Sequence, residues 1–103
     1  MRFEFSAPLW VWEGPAAWYF VTVPVVVADD IWAVTEGMRR GFGSVRVVAT
    51  TGDTIWSTSI FPDSKAGTFM LPMKKQVRQA AGLQLGEPVE LSLTLADLDG
   101  RPT

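Results

Sequence analysis

Cysteine and histidine are both missing from the sequence. Without cysteine there is no disulfide, no thiolate metal site and no Cys nucleophile. Without histidine the commonest general base and the commonest transition-metal ligand are gone, and with them every Ser-His-Asp or Cys-His arrangement. Charge is also sparse: 19% of residues are charged and the formal net charge is −2. A chain of this balance has no overall field drawing it to nucleic acid or to an anionic membrane, so a nucleic-acid partner is not expected unless a local basic patch supplies one. Fully apolar runs are only a few residues long, far short of a bilayer span. Glu4 interrupts the aromatic start "MRFEFSAPLWVWEG", which therefore does not read as a signal peptide. The expectation is a soluble cytoplasmic protein with no membrane partner, no cofactor and no metal.

What the chain has in quantity is apolar and aromatic surface. Of its 103 residues 48% are apolar, with five Trp and six Phe, enough for one domain with a real core and too few residues for two. Residues 1–97 read as that domain and 98–103, "LDGRPT", as a polar tail. Most of the rings belong in a core, with one or two at an interface.

Period 2 dominates the pattern. In "VELSLTL" Val89, Leu91, Leu93 and Leu95 alternate with polar residues, as in a half-buried strand. At the front Phe3, Phe5, Ala7, Leu9 and Val11 share one face, and Glu4, Ser6, Pro8, Trp10 and Trp12 the other. Pro8 lacks a ladder donor and suggests an edge or a bulge. "EGPAA" turns the chain into the extended "WYFVTVP", where Trp18 faces Trp12 across the turn as a candidate aromatic pair. Gly52-Asp53 sits at the tip of "SVRVVATTGDTIWSTSIFP", and pairing Thr51 with Thr54 sets Ala49 against Trp56, Val47 against Thr58 and Val45 against Ile60. "PDSKAG" is a polar loop, and "TFMLP" a further short strand.

Two segments carry helical spacing. The first is expected from about Val27 to Met38, capped by Asp29 or Asp30, with Ile31, Val34, Thr35 and Met38 on one face and Gly37 or Gly41 at its end. The second is expected from Met73 to Ala81 with Gly82 as its stop; Met73, Val77, Ala80 and Ala81 form its stripe, and Lys74, Lys75, Gln76, Arg78 and Gln79 its wet side. The chain is thus mainly β with two short helices. An antiparallel sheet closed on itself with helices at its ends, or an open sheet covered by helices on one side, would bury these faces.

"GFGSVRVVATTGDTIWSTSIFP" followed by "FMLPMKKQVRQAAGLQLGEPVELSL", together with "FEFSAPLWVWEGPAAWYFVTVP" at the front, resembles the domain of unknown function 1905 (DUF1905) family over essentially the whole chain. The shared features are a Gly-rich lead into a strand, a Trp-Ser/Thr-Ser hairpin arm, and a Leu-Pro-x-Lys-x-x-Val-Arg helix. The resemblance implies a small double-split β-barrel, or pseudobarrel, capped by α-helices. At the level of fold it extends to AbrB/MazE-type transcription factors, whose strand-helix-Gly-Asp-strand half is similar to residues 69–93. Here Gly86-Glu87 replaces Gly-Asp, and Glu is the poorer turn former. The family brings no established activity.

Three classes of function remain. A non-catalytic binding or interaction module for a small molecule or protein partner is the first expectation, because Trp10, Trp12, Trp18, Trp32 and Trp56 are more Trp than a core this size requires. Its candidate surface is Arg39, Arg40, Lys74 and Arg78 with Trp56 as an aromatic neighbour, provided the Gly-rich lead and the second helix meet at one barrel end. A nucleic-acid-binding regulator, AbrB-like, is the alternative; it would use those cations together with Lys75 and Arg46 against phosphates. It would also need a homodimer, which one sequence does not show. Catalysis is the least expected. Ser57 to Ser59 with Lys74 could be drawn as a Ser/Lys pair, but such a lysine must be buried. Asp29-Asp30 reads as a cap, and "DLDG" lacks the spaced ligands and closing Glu of a calcium loop.

Overall fold

A computed structural model describes residues 1–37 and 43–96. The elements run β1 (Arg2–Glu13), β2 (Ala17–Thr22), α1 (Val25–Val34), β3 (Val45–Thr51), β4 (Thr54–Asp63), β5 (Thr68–Pro72), α2 (Lys75–Ala81) and β6 (Pro88–Leu95). The strands close into an antiparallel barrel in the order β1-β2-β5-β4-β3-β6, which decides between the closed and open sheets.

Alternation puts one face of each strand into the barrel. Ala7 and Leu9 of β1, Val45, Val47 and Ala49 of β3, and Val89, Leu91, Leu93 and Leu95 of β6 are all buried. The β3–β4 register is the expected one, from Thr51↔Thr54 to Val45↔Ile60. β4 runs two residues past Phe61, because Pro62 and Asp63 pair with Phe69 and Thr68; the loop begins only where the Asp63 carboxylate accepts from the amides of Lys65 and Ala66.

Two strands change partner along their length. β1 pairs β6 from Arg2 to Pro8 and β2 from Leu9 to Glu13; β4 pairs β3 up to Ile60 and β5 from Phe61. Pro8 stands opposite Pro88 where β1 makes this exchange, so the missing donors of both prolines fall where the ladder ends.

These exchanges belong to an internal two-fold relation. β1-β2-α1-β3 and β4-β5-α2-β6 repeat one order of elements, and exchanging the halves leaves the barrel order unchanged. The relation centres on Val21↔Leu71 in the β2–β5 ladder. Val23 donates to the Phe69 carbonyl at 2.9 Å and Met73 to that of Tyr19 at 2.8 Å, so shifting either residue of one bond by 50 gives the other. Each half's helix then covers the opposite half's ring. The Trp32 indole of α1 stacks on Phe69 at 4.5 Å, and the Arg78 guanidinium of α2 lies over Tyr19.

Both helices start differently from expectation. α1 begins at Val25, directly after Pro24, with no side-chain cap. Asp29 and Asp30 lie inside it and are exposed. The reason is the amide bond from Ala28 to Pro24, which starts the first turn within a Val-Val-Val run whose β-branching suggests strand. Its buried residues are Ala28 and Ile31, and Thr35 follows at the C-cap with its hydroxyl on the Ile31 carbonyl. Gly37 has φ +79, as an end signal requires; Met38, Arg39, Arg40 and Gly41 lie outside the described residues. α2 begins at Lys75, with Met73 outside it and Lys74 still extended, and ends at Gly82 in the left-handed conformation. Val77 is its buried residue, Ala80 is exposed and Arg78 is half-buried, so the inward face is narrower than the expected stripe. No described helix is long and apolar enough to cross a membrane.

Candidate cationic cleft beside the second helix

The β2–β5 ladder runs as far as Phe20↔Pro72, and the Met73 amide adds one more bond, to Tyr19. There β5 leaves the sheet, extended through Lys74, and becomes helix. β2 starts two residues earlier, at Ala17, so Ala17 and Trp18 project beyond the end of β5. The gap is a cleft of about 190 Å³, walled by Ala17, Trp18 and Tyr19 on one side and by residues 72–75 and Arg78 on the other.

Three cations meet there, and among the described residues no carboxylate lines the cleft. Arg78 is fixed: its Nε donates to the Met73 carbonyl at 3.0 Å, and its guanidinium carbon lies 3.6 Å from the Tyr19 ring centroid. Lys74 and Lys75 are exposed. Among the described residues the only ion pair is Arg2–Glu4, at 2.9 Å, so neither ammonium group has a carboxylate partner there. Trp18 is 56% exposed; it stands opposite Trp12 in the β1–β2 register, while the Trp12 ring itself lies against Gly14, where a Cβ would fall 2.3 Å from it. Trp10 is half-buried, its indole N–H on Thr22 and its ring 5.2 Å from Phe20.

The two-fold relation provides a comparison within the molecule. Positions equivalent to Lys74 and Lys75 are Pro24 and Val25, and the position equivalent to Trp18 is the buried Thr68. Thr68 instead donates its hydroxyl to the Val23 carbonyl. The same backbone therefore builds an apolar rim at α1 and a cationic, aromatic one at α2.

Of the residues singled out from sequence, Lys74 and Arg78 come together here. Trp56 does not join them: it points inward from β4 opposite Ala49, packs against the core, and its buried indole N–H has no acceptor among the described residues. Arg39 and Arg40 lie outside the described residues. Arg46 is exposed on β3, opposite Ser59. Sequence reasoning named Lys75 only for the nucleic-acid alternative and left Trp18 out of the candidate surface; parity along β2 does place Trp18 on the outer face, but its approach to Lys74 depends on a pairing between distant strands.

A larger groove of about 500 Å³ crosses the outer face of β1, β6 and β3, past Arg2, Glu4, Ser6, Thr50, Glu90 and Ser92. Its one cation is already committed, to Glu4 at 2.9 Å and to the Ser92 hydroxyl at 2.7 Å, which leaves the groove without a free charge to match an anion.

The model of the family described as "Domain of unknown function (DUF1905)" matches residues 5–93. No curated protein matches the chain.

Proposed function

The chain belongs to the DUF1905 family, and because that membership carries no activity, we propose its function from the cleft: a soluble, cytoplasmic, non-catalytic module that binds a small anionic molecule through Lys74, Lys75 and Arg78. The observation that carries the reading is the convergence of three cations without a lining carboxylate among the described residues in a chain of net charge −2. Local charge in the cleft therefore runs against global charge. At about 190 Å³ the cleft is smaller than the roughly 300–1,000 Å³ of sites that engulf drug-sized ligands, which favours a small or partly enclosed ligand. Lys74 is exposed, whereas a Ser/Lys pair needs a buried lysine. Nucleic-acid binding ranks second, since Arg46 does not line the cleft. We also read the exchanges of β1 and β4 as the splits of a double-split barrel, with α1 and α2 as its caps.

Thermal shift with inorganic phosphate at constant ionic strength tests the reading. A ligand that binds only the folded state raises the melting temperature by mass action. The rise is expected in the parent protein and in Lys65→Gln, a loop control, and is expected to vanish in Lys74→Gln/Lys75→Gln. Equal shifts in all three proteins, or none in any, would sink it.

A further inference from the structure

We propose that the cleft takes a planar aromatic ring joined to a phosphate, a nucleoside monophosphate in chemical class, with the phosphate on Lys74 and Lys75 and the ring on the open face of Trp18. This inference rests on the anion-binding reading above and adds a second subsite to it.

Trp18 carries the added step. It is more than half exposed yet belongs to the same cleft as the lysines, and among the described residues it has no hydrogen bond and no ring partner. Of the other indoles, Trp10 is held by Thr22 and Phe20, Trp32 by Phe69 and Trp56 by the core; Trp12 is 50% exposed, but its ring lies against Gly14 and it does not line the cleft. A large apolar ring left in water costs free energy that stacking would recover. Aromatic rings beside cations are the elements by which a base and its phosphate are held together, because every base offers a π-face and lysine serves as a point charge for phosphate.

Size and rigidity set the arrangement. The volume of about 190 Å³ admits the phosphate and leaves the ring at the mouth, where Trp18 stands. Arg78 is held by Tyr19 and by the Met73 carbonyl, so it provides a fixed positive wall. Lys74 and Lys75, being exposed, close on the anion. The two-fold equivalent rim, with Pro24, Val25 and Thr68 in these places, has neither cation nor open ring, which predicts one ligand per chain.

The test compares AMP, adenosine and inorganic phosphate by calorimetric titration at fixed ionic strength, on the parent protein, Trp18→Leu, Lys74→Gln/Lys75→Gln and the control Lys65→Gln. AMP is expected to bind about tenfold or more tighter than inorganic phosphate, the scale of one stacked base, and adenosine more weakly than AMP. Trp18→Leu should remove that tenfold advantage while leaving phosphate affinity unchanged, and the double lysine variant should lose both ligands; Lys65→Gln should match the parent. Equal affinities for AMP and phosphate, or a Trp18→Leu variant that keeps the advantage, would overturn the ring subsite and leave the anion site standing. No binding of phosphate or AMP by the folded parent would overturn both. Circular dichroism of each variant establishes that it is folded, and Trp18→Phe, which keeps a π-face, should retain part of the AMP advantage where Trp18→Leu does not.

Discussion

Arg78 is a charge that helical spacing assigns to solvent and that the tertiary structure takes back. Its guanidinium covers Tyr19 at 3.6 Å and its Nε donates to the carbonyl of Met73, which directly precedes the N-cap residue Lys74 of α2. A cation–π contact at a partly exposed site is worth about 0.5–1 kcal/mol, and a charged hydrogen bond somewhat more. Arg78→Ala should therefore cost about 1–2 kcal/mol in chemical denaturation, and Arg78→Lys should recover only a part, since an ammonium does not present a planar donor fork. A loss below about 0.3 kcal/mol, within the range of an ordinary surface substitution, would return Arg78 to the wet face. Lys74 and Lys75 lack such contacts, and this separates a cation that holds structure from two that are free for a ligand.

At the scale of elements, legibility followed the range of the interaction. The β3–β4 hairpin was readable because a two-residue turn and period-2 alternation are both local and fix one register; all seven pairs from Val45↔Ile60 to Thr51↔Thr54 agree. The start of α1 was not readable, because Val25-Val-Val favours strand and Asp29-Asp30 imitates a cap; the end of the β2–β5 ladder decides where the helix begins. The stop of α2 was readable in Gly82, whose φ of +65 closes the helix with amide bonds back to Arg78 and Gln79. Nothing lies within 4 Å of a Cβ placed there, so Gly82→Ala should cost only the left-handed backbone penalty, about 1 kcal/mol. Gly82→Asn should cost less, as asparagine tolerates that conformation. Equal losses for the two variants in urea melts would contradict this account.

For the whole molecule, closure depends on β6, which bridges β1 and β3. It buries Val89, Leu91, Leu93 and Leu95, worth roughly 1.5–3 kcal/mol each and so about 6–12 kcal/mol together, comparable with the entire stability of a small domain. A chain ended at Glu87 should show no cooperative thermal transition by circular dichroism. One ended at Ala96 keeps every described ladder and should melt within a few degrees of the parent. A cooperative melt of the shorter chain would mean that the other five strands form a domain by themselves.

The sequence by itself determined the strand faces, the hairpin register, the turn glycines and the exclusion of cysteine and histidine chemistry, because these depend on residue inventory and on neighbours two to four positions apart. It also placed Lys74 and Arg78 together, one helical turn apart. Only the tertiary structure decided that the sheet closes, that two halves repeat about Val21 and Leu71, that Trp56 belongs to the core, and that Trp18 shares a cleft with the lysines. Those outcomes depend on which strands far apart in sequence pair, as Val21 does with Leu71 and Arg2 with Thr94. Local period does not encode that choice; it is made by the burial that closure of the barrel achieves.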